Sequence, residues 1–365
     1  MLRFRALLAG LAGCLIAAAA TAAEPCRIAF DMGSSGIRAG QSSRPEVMRA
    51  DIDYLGPLSA GRGLAETLQP TIAALRDLSA GGGFDTACAK LGGGFSAWRI
   101  AAKEDRNRLA DDLAAIRNAS GVPVLVIPQR QEGAYGYLGA RQLLGNRLTT
   151  SHILDIGGGS LQVAGERHSF GALFGQKLWH RELCKALRNS SELPCTLLPM
   201  TAQEVEAARA LLRDRLQGIA DDLPQGATLT AISRPVTRGV APAVARLFNR
   251  PAGLGDISPA MLRATLELHA GMGLDAMAEH LGVERKHAAY LVSDLLLVEG
   301  LVEATGGHDL RVAEIDLTNL PGLLADERGY RWAARHDCYL QRLRRLGAAA
   351  YFSDPTSCPA TAASR

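Results

Sequence analysis

Two short glycine-bearing segments, 124 positions apart, constrain this chain more than any other feature. They are Asp31–Arg38 (DMGSSGIR) and Asp155–Ser160 (DIGGGS). Each follows an apolar run, Arg27–Phe30 and His152–Leu154, that predicts a strand. Glycines let a tight turn present successive backbone N–H groups, and such a concave turn suits phosphate oxygens. An aspartate at each strand end can hold a divalent cation or its water shell. Two such turns predict two like half-sites closing on a phosphate, and point to an ancient duplication rather than a repeat array.

The first residues read as a targeting device. Arg3 and Arg5 precede the apolar stretch Ala6–Ala20, and Thr21-Ala22-Ala23 offers a cleavage site before Glu24. Residues 1–23 are therefore expected to be a signal peptide and the protein to be periplasmic or secreted. Leu11-Ala12-Gly13-Cys14 resembles a lipobox, and lipidation at Cys14 is the lesser alternative. No later run is long and apolar enough to span a membrane. Past residue 23 six cysteines remain: Cys26, Cys88, Cys184, Cys195, Cys338 and Cys358. An even number in an exported chain, without C-x-x-C spacing, favours disulfides over metal ligands. Of the 15 connectivities open to six cysteines, the expected one is Cys184–Cys195, Cys338–Cys358 and Cys26–Cys88, with buried thiols as the alternative.

Without Arg3 and Arg5 the formal charge falls from +3 to +1, 38 basic against 37 acidic residues. That balance argues against nucleic-acid binding, so attraction for a polyanion must come from a local cluster. The remaining length suits two domains. Strands are predicted at 28–31, 86–89 and 122–127, alternating with amphipathic helices at 64–78 and 107–118. This order gives an α/β domain whose ligand binds beyond the strand carboxyl ends. A second such unit has predicted strands at 153–155, 161–164 and 228–232. Thr201 and Glu204 form a capping-box pattern for a helix to Gln217, and Ser258-Pro259 opens a helical region reaching Val302. Residues 277–292 superficially resemble a helix-turn-helix, but their mixed charge argues against DNA reading. The tail from Gly347 is expected to be loose apart from Cys358.

Four blocks occur in order: DMGSSGIR at Asp31–Arg38, SAWR at Ser96–Arg99, QEGAYGYLG at Gln131–Gly139 and DIGGGS at Asp155–Ser160. Together they resemble the signature blocks of the exopolyphosphatase/guanosine pentaphosphate phosphatase family. That family belongs to the actin, sugar-kinase and heat-shock ATPase superfamily. The resemblance runs from about Arg27 to Leu324. It implies an α/β fold of two ribonuclease-H-like domains flanking a cleft, here 24–130 and 131–325, with a C-terminal tail at 326–365. It implies that Glu132 is catalytic and activates the attacking water. Gly33, Ser34, Arg38, Arg99, Gly157, Gly158, Gly159 and Ser160 would bind phosphate, and Asp31 and Asp155 would place Mg²⁺ or Mn²⁺. Arg285 matches a recurrent family arginine of less defined role.

Three departures from the family pattern stand out. Ser35-Gly36 replaces the usual Asn-Ser, and Gln162 stands where most members have a glutamate. Ser233-Arg234-Pro235 occupies the usual place of another glycine loop, with proline removing an N–H donor. The first expectation is an exported phosphoanhydride hydrolase removing terminal phosphate from polyphosphate or a related polyanion, with polyphosphate or a phosphorylated small molecule as its partner. Polyphosphate suits an exported protein better than guanosine pentaphosphate does. The second is an impaired binding or sensory protein on the same fold. A kinase is the weakest reading, since ATP is scarce outside the cytoplasm. A homodimer is left open.

Overall fold

A computed structural model describes residues 25–359, apart from 43, 193, 252–254 and 316–318. The expected signal peptide and Cys14 lie outside the described residues. Two five-stranded mixed sheets each carry their own apolar core. The first sheet contains β1 (Arg27–Met32), β2 (Gly36–Gln41), β3 (Val47–Asp51), β4 (Ala89–Gly94) and β5 (Val124–Val126), in the order β3-β2-β1-β4-β5. The second contains β6 (His152–Ile156), β7 (Leu161–Gly165), β8 (Ser169–Ala172), β9 (Leu229–Ala231) and β10 (Arg311–Val312), in the order β10-β9-β6-β7-β8. Read from its meander, the second sheet repeats the first: three antiparallel strands, then two parallel ones. The chain is thus an α/β protein of two ribonuclease-H-like domains flanking a cleft.

The equivalence extends to single residues. Asp31 pairs with Arg38 across β1–β2, and Asp155 pairs with Gln162 across β6–β7. Each member lies 124 positions from its counterpart.

The strand expected at 86–89 lies later in the chain. Cys88 donates its N–H to Asp85 O in a turn, and β4 begins at Ala89. Its Gly92-Gly93-Gly94 reads as punctuation in sequence but is the strand itself. Glycine is a poor strand former, yet a Cβ there would meet Val124, Leu323 and Trp98 at 2.7, 2.6 and 2.6 Å respectively. Close packing on this interior strand outweighs propensity.

The tail from Gly347 is also not loose. Ala350 and Tyr351 are buried in the first core, together with Trp332, Tyr339 and Leu343. Burying large side chains of this kind contributes roughly 1.5–3 kcal/mol each, enough to hold a short segment down. The helix His336–Leu346 covers the open edge of β5: Val126 N–H donates to Tyr339 Oη at 2.8 Å, and His336 Nε2 lies 2.9 Å from Val124 O. An exposed strand edge is a pairing hazard, and these side chains satisfy it. All three expected disulfides are formed: Cys26–Cys88, Cys184–Cys195 and Cys338–Cys358.

The predicted helix starts are present. Thr201 and Glu204 complete a capping box, and Ser258 caps Pro259–Ala270. The helix-turn-helix-like region comprises the helices Leu274–Leu281 and Arg285–Ala288 and runs into Leu291–Ala304, which is buried almost throughout. Arg285 pairs with Asp275 on the surface. No helix among the described residues is long and apolar enough to cross a membrane.

Candidate active site

The two glycine turns meet across the cleft with the same internal geometry. Gly33 N–H donates to Gly36 O at 3.0 Å, and Gly157 N–H to Ser160 O at 2.8 Å. The outward carbonyls of each turn are taken from behind. Ser34 O and Ser35 O accept from Tyr54 and Ile52; Gly157 O and Gly158 O accept from Gln176 and Lys177. The amides that remain are donors, which is the polarity an anion cradle requires. A Cβ on Gly158 would lie 2.7 Å from Ser34 Oγ, and one on Gly159 3.0 Å from Ser96 Oγ. The glycines therefore let the two turns approach. Gly36 has φ +155°, and a Cβ there would lie 2.4 Å from Ala50 O, so the Ser35-Gly36 departure suits the local backbone.

A cleft of about 250 Å³ gathers most of the expected residues. Asp31, Glu132 and Asp155 supply carboxylates; Gly33, Ser34, Gly157, Gly158 and Ser160 supply the turns; Arg38 supplies positive charge. Gly159 is buried beside Ser96, behind the cleft wall. Arg99 also lies behind, because it is held by other partners. Its Nη1 donates to Ile127 O at 2.9 Å, and its Nη2 donates to Glu132 Oε2 at 2.5 Å and Ser160 Oγ at 3.1 Å. Arg99 is 5 % exposed and Glu132 7 %. Arg99 comes from the helix Ser96–Glu104 and Glu132 from the first turn of Gln129–Leu144, so one guanidinium links both elements to the second glycine turn.

Burial raises the Glu132 carboxyl above its ordinary range, and Arg99 opposes that rise. Burial likewise pushes Asp31 up to about 6, with Arg38 lowering it and Glu132 raising it. Arg38 Nη1 lies 3.8 Å from Asp31 Oδ2. Gln162 is buried, and its Nε2 donates to Ser160 Oγ at 3.1 Å. Ser233 Oγ accepts from Ile156 N–H at 2.9 Å, fixing the end of β6, while Pro235 opens a π-helical turn, Pro235–Val240. The third loop thus supports the site through a hydroxyl and a helix start.

The cleft also holds residues given no role by sequence reasoning: Arg49, Ser96, Gln176, Lys177 and Asn319. Lys177 had a weak signal, as a lysine just after Gly175 at a helix start. Asn319, whose buried Oδ1 has no hydrogen-bond partner, had none, because chain folding alone returns it to the cleft.

The profile of the Ppx/GppA phosphatase family matches residues 101–317. Among solved structures, the chain is similar to a Ppx/GppA phosphatase of Aquifex aeolicus, the type II variant. Identity is 16%, with a TM-score of 0.60, covering 82% of this chain and 98% of that one. An exopolyphosphatase from Cytophaga hutchinsonii is similar at 14% identity and a TM-score of 0.58, covering 82% and 96% respectively. No curated protein matches in sequence. These structural likenesses bear on the fold.

Proposed function

The chain belongs to the Ppx/GppA phosphatase family, and on that premise we propose that it is an exported hydrolase releasing terminal phosphate from polyphosphate or a related polyanion. The observation that carries this reading is the buried Glu132 carboxylate, held by Arg99 at 2.5 Å in a cleft that Asp31 and Asp155 also line. In the proposed reaction the terminal phosphate lies against the amides of the two turns. Glu132 accepts a hydrogen bond from water and takes its proton as the new P–O bond forms in line with the breaking bridge. The proton then passes to the phosphate products. Arg99 keeps Glu132 ionised and oriented, while Arg38 and Lys177 offset charge on the phosphate oxygens.

The donor set fits a hard divalent cation. Asp31 and Asp155 offer carboxylate oxygens, and burial holds the Asp31 carboxyl at about 6, a cost that an adjacent cation offsets. These two would hold Mg²⁺ or Mn²⁺, which when bound neutralises phosphate oxygens. Three disulfides support an oxidising compartment, where polyphosphate suits better than a nucleotide alarmone.

The test is phosphate release by the oxidised protein from long-chain polyphosphate, with Mg²⁺ or Mn²⁺ and then with chelator. Metal-dependent release that Glu132→Ala abolishes supports the hydrolase. Gln162 favours a second reading, a polyphosphate receptor with impaired turnover, because an amide neither accepts a proton at neutral pH nor ligates metal as an anion. Tight binding without release selects that reading.

A further inference from the structure

A second depression, of about 230 Å³, opens on the other side of the helix turn that carries Glu132. Arg130 contributes from that turn; it lies two positions before Glu132, roughly 200° around the helix. Glu166, Arg167 and His168 contribute from the β7–β8 hairpin, and Phe352 from the C-terminal segment. Three separate stretches of chain therefore converge on one concave surface.

Its charge is unbalanced. Among the described residues neither the Arg130 nor the Arg167 side chain has a hydrogen-bond or ion-pair partner, and Glu166 is the lone carboxylate in the lining. Elsewhere arginines at this surface are tied down, as Arg328 is to Phe352 O and Ser353 O at 3.1 and 3.2 Å. Those bonds, with the edge contact of Phe352 on Tyr351 at 5.5 Å, set a preformed aromatic wall that is 51 % exposed. Arg130 and Arg167 are exposed beside this wall, and a guanidinium fork suits a paired-oxygen anion. Phe352 lies beyond the family match, which ends at residue 317, so one wall of this depression comes from outside the matched region.

We propose that this depression is a second phosphoanion site, with Arg130 and Arg167 as its ligating groups and Phe352 as its wall. Its ligand chemistry is a multiply charged phosphate, either free orthophosphate or a segment of a condensed phosphate chain. A ligand there bears on the first turn of the helix that holds Glu132, from the side away from the cleft.

The test is calorimetric titration of the oxidised full chain with tripolyphosphate in chelator, where metal-assisted turnover is suppressed. Two binding events are expected. R130A/R167A should weaken one of them by at least about tenfold, as loss of charge-assisted bonds implies, and R130K/R167K should restore part of it. Arg38→Ala should weaken the other event. R130A/R167A titrating like the native protein would overturn the proposal. A single native event lost in R130A/R167A but kept in Arg38→Ala would uphold this site and count against the cleft reading. A single event with the opposite pattern would overturn this site and leave the cleft reading intact. Competition by orthophosphate at the affected event identifies a free-phosphate site; its failure identifies a chain site.

Discussion

Gln162 stands directly opposite Asp155 across the β6–β7 hairpin, in the position that Arg38 holds opposite Asp31 on β1–β2. The two half-sites therefore share a backbone but differ in charge: one aspartate faces a guanidinium, the other an amide. Gln162 also donates to Ser160 Oγ, which Arg99 contacts as well.

Gln162→Glu should place a second carboxylate beside Asp155 and remove that donor. Two neighbouring carboxylates repel without a cation and chelate with one. The expected result is loss of roughly 1 kcal/mol of stability in chelator, with half-maximal Mg²⁺ for phosphate release falling about tenfold. A metal titration of activity, paired with denaturation in chelator, reads both. An unchanged metal requirement would show that position 162 does not face the cation.

Arg99 and Glu132 form a buried pair whose members are worth little alone. Arg99→Ala leaves the Glu132 carboxylate uncompensated, at an expected cost of about 3–5 kcal/mol of stability. Glu132 is already raised by burial and lowered by Arg99, so losing Arg99 raises it further. The acid limb of the rate profile should move to higher pH, since the base must be ionised to act. Arg99→Lys keeps the charge but loses the fork that reaches Ile127 O and Ser160 Oγ, so it should shift the limb less while still reducing turnover. A limb that stays in place in Arg99→Ala would remove Glu132 as the titrating base.

Much of this site was legible because its parts are local. A strand, an aspartate and a glycine turn all fall within residues 27–36, and their repetition 124 positions on predicted the paired sheets and the facing turns. Disulfide placement was legible where two cysteines lie close in sequence, as Cys184–Cys195 and Cys338–Cys358 do. Residues whose environment comes from distant chain were not legible. Gly92–Gly94 look like a loop until Leu323 and Trp98 are seen against them. The tail looks loose because its small residues and prolines hide Tyr351, which enters the first core. Asn319 reaches the cleft only because the chain returns there.

Acid should unfold this protein through two buried histidines. His180 and His336 are fully buried and held neutral, each lowered by burial from 6.5 to about 4. Above pH 6.5 both are neutral in folded and unfolded chains, and their packing contributes in full. As pH falls from 6.5 toward 4 the unfolded chain takes up protons that the folded one refuses. Stability is lost across that window, up to ~3 kcal/mol per histidine, and the loss levels off below it. Denaturant midpoints between about pH 7.5 and about pH 4.5 should drop accordingly. His336→Asn should flatten its share of the slope; a slope unchanged by that substitution would assign the acid sensitivity to other groups.

The C-terminal segment anchors the helix that carries Glu132, and this can be tested without touching the cleft. Asp326 accepts from Tyr135 Oη at 2.5 Å and from Tyr351 Oη at 2.9 Å, all three buried. Tyr135 lies one turn beyond Glu132 on the same helix, and the Cys338–Cys358 disulfide closes the segment that brings Tyr351 in. Tyr351→Phe removes one of two donors to a buried carboxylate, at an expected cost of about 1–3 kcal/mol. Replacing Cys338 and Cys358 by serine frees a loop with a sequence separation of 20, for which chain entropy predicts a cost of roughly 3 kcal/mol. Because both changes loosen one anchor, their effects on melting should sum to less than the two separate losses. If they add in full, Tyr351 is held by its own packing and the disulfide does not reach the Glu132 helix through it.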